Sequence, residues 1–124
     1  MTTPRQRRVA EAIMGELGQL LIFEVNDPRL RGVTVTEVQI DRELQYADIF
    51  VNALGEEERQ EEVLEALERA SGFFRRMLSQ SLDLRKMPEL RFAWDTAFEQ
   101  AARIDELLDS LDLSADSGQG VDSD

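Results

Sequence analysis

The stretch from Glu56 to Leu82 constrains the fold more than any other. Its apolar residues, Val63, Leu64, Leu67, Ala70, Phe74, Met77, Leu78 and Leu82, recur at helical spacing throughout. One unbroken helix of that length would extend roughly 40 Å. A compact domain of this chain's size has a radius of gyration of only about 14 Å. The rod does not fit, so the pattern predicts two helices with a break between them. Gly72 is the expected break, because glycine is a poor helix former.

Charge reverses across the same point. Glu56 to Glu68 holds seven acidic residues against Arg59 alone. Arg69 to Arg91 holds six basic ones, Arg69, Arg75, Arg76, Arg85, Lys86 and Arg91, against Asp83 and Glu89. A chain of formal net charge -12 thus gathers a local excess of 6 - 2 = +4 beyond the break. Segregation on this scale acts on partners and orientation rather than on fold, and a polyanionic partner is expected.

Composition narrows the chemistry. At 124 residues, with 42% hydrophobic and 32% charged residues, the chain suits one soluble domain with a modest core. It has no Cys and no His. That excludes disulfides, thiolate metal sites, a thiol nucleophile and an imidazole base, and fits a reducing cytoplasm. The longest clean apolar run, Leu20 to Phe23, is far too short for a signal-peptide core or a bilayer span.

Thr3-Pro4-Arg5-Gln6 reads as a capped helix start. The apolar stripe Val9, Ile13, Leu17, Leu20 and Leu21 carries the helix to about Val25, and Asn26-Asp27-Pro28 stops it. Val33 to Ile40 is β-branched and reads as a strand, with an apolar phase change that implies either a bulge or burial on both faces. Tyr46 to Leu54 is a second strand, and the short polar link between them predicts an antiparallel hairpin. Leu90 to Asp95 is a third strand, with Leu90, Phe92 and Trp94 in phase. Thr96 to Glu99 is another capping box, opening an amphipathic helix through Ala101, Ile104, Leu108 and Leu111. Residues 114–124 offer nothing to bury and are expected to be a disordered acidic tail. The order is α-β-β-α-kink-α-β with a C-terminal helix, an α+β domain over residues 1–113 with helices on one face of a three-stranded sheet.

Three basic groups are candidates for phosphate contact. The first lies at the kink, Ala70, Ser71 and Gly72, with Arg69 before it and Arg75 and Arg76 in the first turn of the second helix. Cations there oppose the helix dipole, so an anionic partner explains them better than helix stability does. The second is Arg85, Lys86 and Arg91 around the entry to the third strand, where forked arginine donors suit phosphate. The third is Arg5, Arg7 and Arg8 with Arg29 and Arg31. A solvated surface is the bland alternative for each. Carboxylate pairs such as Asp41 with Glu43 lack any setting to tune them for acid–base work. Tyr46 and Trp94 have faces for base stacking, but Trp94 shares the phase of the core.

Four segments, in this order and spacing, resemble the ribosome-binding factor A family. They are Asp27-Pro28-Arg29-Leu30, Ala70-Ser71-Gly72, Pro88-Glu89-Leu90-Arg91-Phe92 and Arg103-Ile104-Asp105-Glu106-Leu107-Leu108. The resemblance covers roughly residues 4 to 111. It implies a type II KH-like domain in which Ala-x-Gly replaces the GxxG loop. It also implies a monomeric, non-enzymatic cytoplasmic factor that needs no cofactor or metal. Such a factor binds the free small ribosomal subunit and its 16S rRNA, with ribosomal proteins as further partners, and assists late maturation including 5′-end processing. The rival reading is a protein-interaction module whose acidic helix and tail engage basic ribosomal proteins.

Overall fold

The computed structural model describes residues 2–23, 25–53, 57–97 and 107–108. Helix α1 spans Pro4–Phe23. Its capping box is reciprocal: the Thr3 N–H donates to Gln6 Oε1 at 2.9 Å, and the Gln6 N–H donates to Thr3 Oγ1 at 3.1 Å. Helix starts leave such amides without intrahelical partners, which is what the box corrects. Val9, Ile13, Leu17, Leu20 and Leu21 form the buried stripe. A 3-10 turn at Pro28–Leu30 follows, with Asp27 Oδ1 accepting the Arg29 N–H at 3.0 Å. Gly32 then turns the chain at φ +80°, a conformation costly for any residue with a Cβ.

Strands β1 (Thr34–Ile40) and β2 (Tyr46–Asn52) form the antiparallel hairpin. The register slips between Val35 and Glu37, so the apolar phase change is a bulge. It lets Val35, Val38 and Ile40 all reach the core. Strand β3 (Glu89–Trp94) adds on the other side of β2 and runs parallel to it, giving the order β1-β2-β3. The hairpin signals could not give that direction. It follows from the helices between β2 and β3, which return the chain to the hairpin end before it re-enters the sheet.

The long helical run does break, but not where glycine suggested. Helix α2 is Gln60–Arg69 and helix α3 is Ser71–Ser81. The joint is Ala70, at φ -89° and ψ 0°. Its N–H bonds to the Ala66 and Leu67 carbonyls, both at 3.1 Å, and its carbonyl accepts the Phe74 N–H at 3.0 Å. One residue with ψ near zero redirects the axis while its own N–H and carbonyl stay bonded, so no left-handed residue is needed. Gly72 is therefore an ordinary position in the first turn of α3. Arg75 and Arg76 accordingly lie in the second turn, beyond the strongest influence of the helix dipole.

The helices cover one face of the sheet. Ile13 and Leu17 of α1, Val63 and Leu67 of α2, and Phe74 and Leu78 of α3 are fully buried with Ile49 and Val51 of β2. Leu90 and Trp94 of β3 join this core, so Trp94 is a packing residue. Tyr46, Asp48 and Arg91 occupy the opposite, open face. The second capping box and the C-terminal helix fall mostly outside the described residues. Within that segment Thr96, Ala97, Leu107 and Leu108 are described, and the last three are helical. The expected tail at 114–124 lies outside them entirely.

Candidate functional site

Parallel pairing of β3 brings distant basic residues to one end of the sheet. The Gln6 side-chain amide donates to the Ile40 carbonyl at 2.7 Å, which fixes the start of α1 against the end of β1. In the hairpin turn the Asp41 carboxylate accepts the N–H groups of Gln45 and Tyr46 at 2.7 and 2.6 Å. Those bonds, the Tyr46 one foremost, hold its pKa below the usual aspartate value of 3.8. Glu89 pairs with Tyr46 and donates its N–H to the Gln45 carbonyl at 2.8 Å. The loop between α3 and β3 therefore arrives at the same end.

Arg5, Arg7 and Arg8 from α1 and Arg85 and Lys86 from that loop therefore share this end of the sheet, all exposed. Arg42, exposed in the hairpin turn, joins them. Arg42 escaped the sequence reading because its neighbours in space come from two other parts of the chain. Asp41, Glu43, Asp83 and Glu89 share this end, so the positive excess is modest. Its significance lies in contrast with the acidic remainder.

Arg75 has a structural duty. Its Nε donates to the Pro88 carbonyl at 3.2 Å and an Nη to the Met87 carbonyl at 3.1 Å. It thereby ties α3 to the loop that carries Arg85 and Lys86. Arg76 is exposed, with its guanidinium 5.9 Å from the centre of the Phe73 ring. Ser71 is half-buried and Gly72 exposed at the joint between the helices.

Four other candidates lie elsewhere. Arg29 is held by Asp27, at 2.9 and 3.2 Å, and that pairing lowers the Asp27 pKa and raises that of Arg29. The backbone carbonyls of Arg29 and Arg31 accept from the Arg59 guanidinium at 2.7 and 3.2 Å. This group sits at the far end of the sheet, where β1 begins. Arg69, exposed at the end of α2, approaches Glu65 at 3.8 Å. Arg91 lies on the open face, bonded to Asp48 at 2.8 and 3.2 Å and stacked 4.3 Å over the Tyr46 ring. The Asp48 bonds raise its pKa further. Among the described residues no cluster of acidic side chains is arranged to hold a metal ion. None of their helices is long and apolar enough to cross a membrane.

The family model for ribosome-binding factor A matches residues 5–108. The chain belongs to the ribosome-binding factor A family. A ribosome-binding factor A from Alkalilimnicola ehrlichii is 46% identical over 107 residues, covering 86% of this chain and 82% of that one. One from Halothermothrix orenii is 35% identical, covering 87% and 88%. The crystal structure of ribosome-binding factor A from Thermus thermophilus superposes with a TM-score of 0.66 at 26% identity, over 74% of this chain and 97% of that one. A homology model of the Thermus thermophilus factor, fitted into a cryo-EM map of its complex with the 30S subunit, gives 0.58 at 26% identity, over 77% and 97%. Ribosome-binding factor A proteins are binding factors rather than enzymes, and this chain is classed with them.

Proposed function

We propose that this protein is an assembly factor acting in the cytoplasm as a monomer. It binds the free small ribosomal subunit, contacts 16S rRNA, and assists late maturation including processing of the 5′ end. The observation that carries this reading is family membership over residues 5–108. It is supported by the complex of the Thermus thermophilus homologue with the 30S subunit. The element order and the Ala70-Ser71-Gly72 joint support a type II KH-like frame. A joint built from ordinary helical conformations gives no freedom for a GxxG-type clamp, so phosphate contact falls to side chains.

The proposed contact surface is the basic end of the sheet, with Arg5, Arg7, Arg8, Arg85 and Lys86 touching phosphates and Arg76 at its border. Arg75 holds the loop in place. Arg29 and Arg91 are engaged within the protein, and Arg31 and Arg69 lie outside this surface. The test is a double reversal, Arg85→Glu with Lys86→Glu, assayed for binding to purified small subunits. Both residues are exposed, so the fold should be untouched. Affinity is expected to fall at least about tenfold, from two lost phosphate contacts and two added repulsions. Unchanged affinity would defeat the RNA-face reading.

A second reading has its own observation: Glu61, Glu62, Glu65 and Glu68 are all exposed on α2. Such a face suits a basic ribosomal protein. Glu61→Lys with Glu68→Lys would then abolish subunit binding while the Arg85/Lys86 reversal left it intact.

A further inference from the structure

Two sets of apolar side chains stay exposed at separate places in this chain. The first belongs to a groove of about 730 Å³ between α1 and the outer edge of β1. Met14, Gly18 and Ile22 line its helical wall, and Val33 and Val35 its strand wall. Ile22 and the neighbouring Phe23 are each 72% exposed. β1 pairs with β2 alone among the described strands, so its outer edge is open along the groove. At Gly15 and Gly18 an added Cβ would meet nothing within 4 Å. The second set is Leu107 and Leu108, 64% and 53% exposed, at the head of the acidic sequence Leu-Leu-Asp-Ser-Leu-Asp-Leu ending at Leu113.

The geometry points to the segment beginning at Leu107 as the occupant of this groove, an intramolecular dock of the chain's own C-terminal leucines. Topology supplies the proximity. β3 ends at Trp94 opposite Val51, and Thr34 lies opposite Asn52, so β3 finishes at the end of the sheet where the groove opens. Two strand spacings, about 10 Å, separate β3 from β1. Asp95 already reaches β1, accepting the Thr36 hydroxyl hydrogen bond.

The nine residues 98–106 reach about 14 Å as the expected helix and up to about 30 Å if extended, in either case more than the two strand spacings. The helical wall from Met14 to Ile22 is about 12 Å long. Length therefore allows Leu107, Leu108 and Leu111 to lie along it. Charge agrees at the rim, where the exposed Arg31 stands beside the groove, the segment carries Asp109 and Asp112, and Asp105 and Glu106 immediately precede it.

Because the chain has no cysteine, disulfide trapping in the full-length protein tests the dock directly. One variant carries Ile22→Cys with Leu108→Cys. The control carries Arg91→Cys, on the open face of the sheet, with Leu108→Cys. An undocked tether offers both partners a similar effective concentration, whereas docking should make the Ile22 pair bridge within one molecule at least about tenfold faster. Adding Leu107→Asp and Leu111→Asp should remove that advantage. Equal rates in the two pairs, or an advantage that survives the aspartates, would overturn the proposal. So would predominant Ile22–Ile22 bridges between molecules, which would make a second copy the occupant.

Discussion

Gln6 shows how much one side chain can carry. It closes the capping box with Thr3 and also anchors α1 to β1 through the Ile40 carbonyl. The first role is readable from a four-residue pattern. The second is not, since it joins residues 34 positions apart. Gln6→Ala should destabilise the fold by about 1–3 kcal/mol, because a buried carbonyl loses its donor along with the cap. Gln6→Glu keeps the capping acceptor but loses the donor to Ile40, and places a carboxylate against that carbonyl. Urea unfolding should therefore show Gln6→Glu to be no better than Gln6→Ala. Recovery to wild-type stability would mean that the contact with Ile40 contributes nothing.

Acid sensitivity also belongs at this scale. Asp27, Asp41 and Asp95 all have lowered pKa values, caused first by bonds from Arg29, from the Tyr46 amide and from the Thr36 hydroxyl. A carboxyl more acidic in the folded state stabilises it above the unfolded pKa of about 3.9, and that stability is lost as pH falls through the lower folded value. Stability should therefore be insensitive to these groups above about pH 5 and decline below about pH 4. Asp41→Asn should flatten part of that decline in melts taken across this range. A decline of unchanged steepness would contradict the assignment.

At the level of elements, periodicity revealed which of the described segments up to Trp94 are helices and strands, and even that the long helix must break. It misplaced the break by two residues because glycine is the loudest breaking signal in the sequence. Ala70 makes the turn with a backbone change that leaves no mark on residue type. The bulge in β1 was legible as a phase change, with its cause left open until the register was seen. Gly72 offers a clean test. It has helical backbone and open space around a would-be Cβ, so Gly72→Ala should stabilise the protein by about 0.5–1 kcal/mol. Thermal melts check this. A destabilised variant would mean that the joint between α2 and α3 does need glycine. A stabilised variant that binds subunits more weakly would show RNA backbone approaching closely at this position.

At the level of the whole molecule, the candidate site was half legible. Composition and charge order identified Arg85, Lys86 and the N-terminal arginines as residues of interest. Their convergence depends on β3 running parallel to β2, which strand patterns do not encode. The same limit hid Arg42, and it hid the partners that occupy Arg29, Arg75 and Arg91. With -12 overall, the proposed contact surface requires the protein to approach RNA with its basic end forward. Screening over about 8 Å at physiological salt keeps the acidic helix from repelling phosphates beyond its own vicinity.

The most direct test of this orientation is the salt dependence of binding to free small subunits, for the wild type and for Arg85→Ala with Lys86→Ala. Each phosphate contact should contribute about 0.7 to 0.9 to the slope of log affinity against log salt. The wild type should show a steep decline, and the double variant a slope shallower by about 1.4 to 1.8. A flat wild-type response, or identical slopes for the two proteins, would contradict the claim that this end of the sheet meets the RNA.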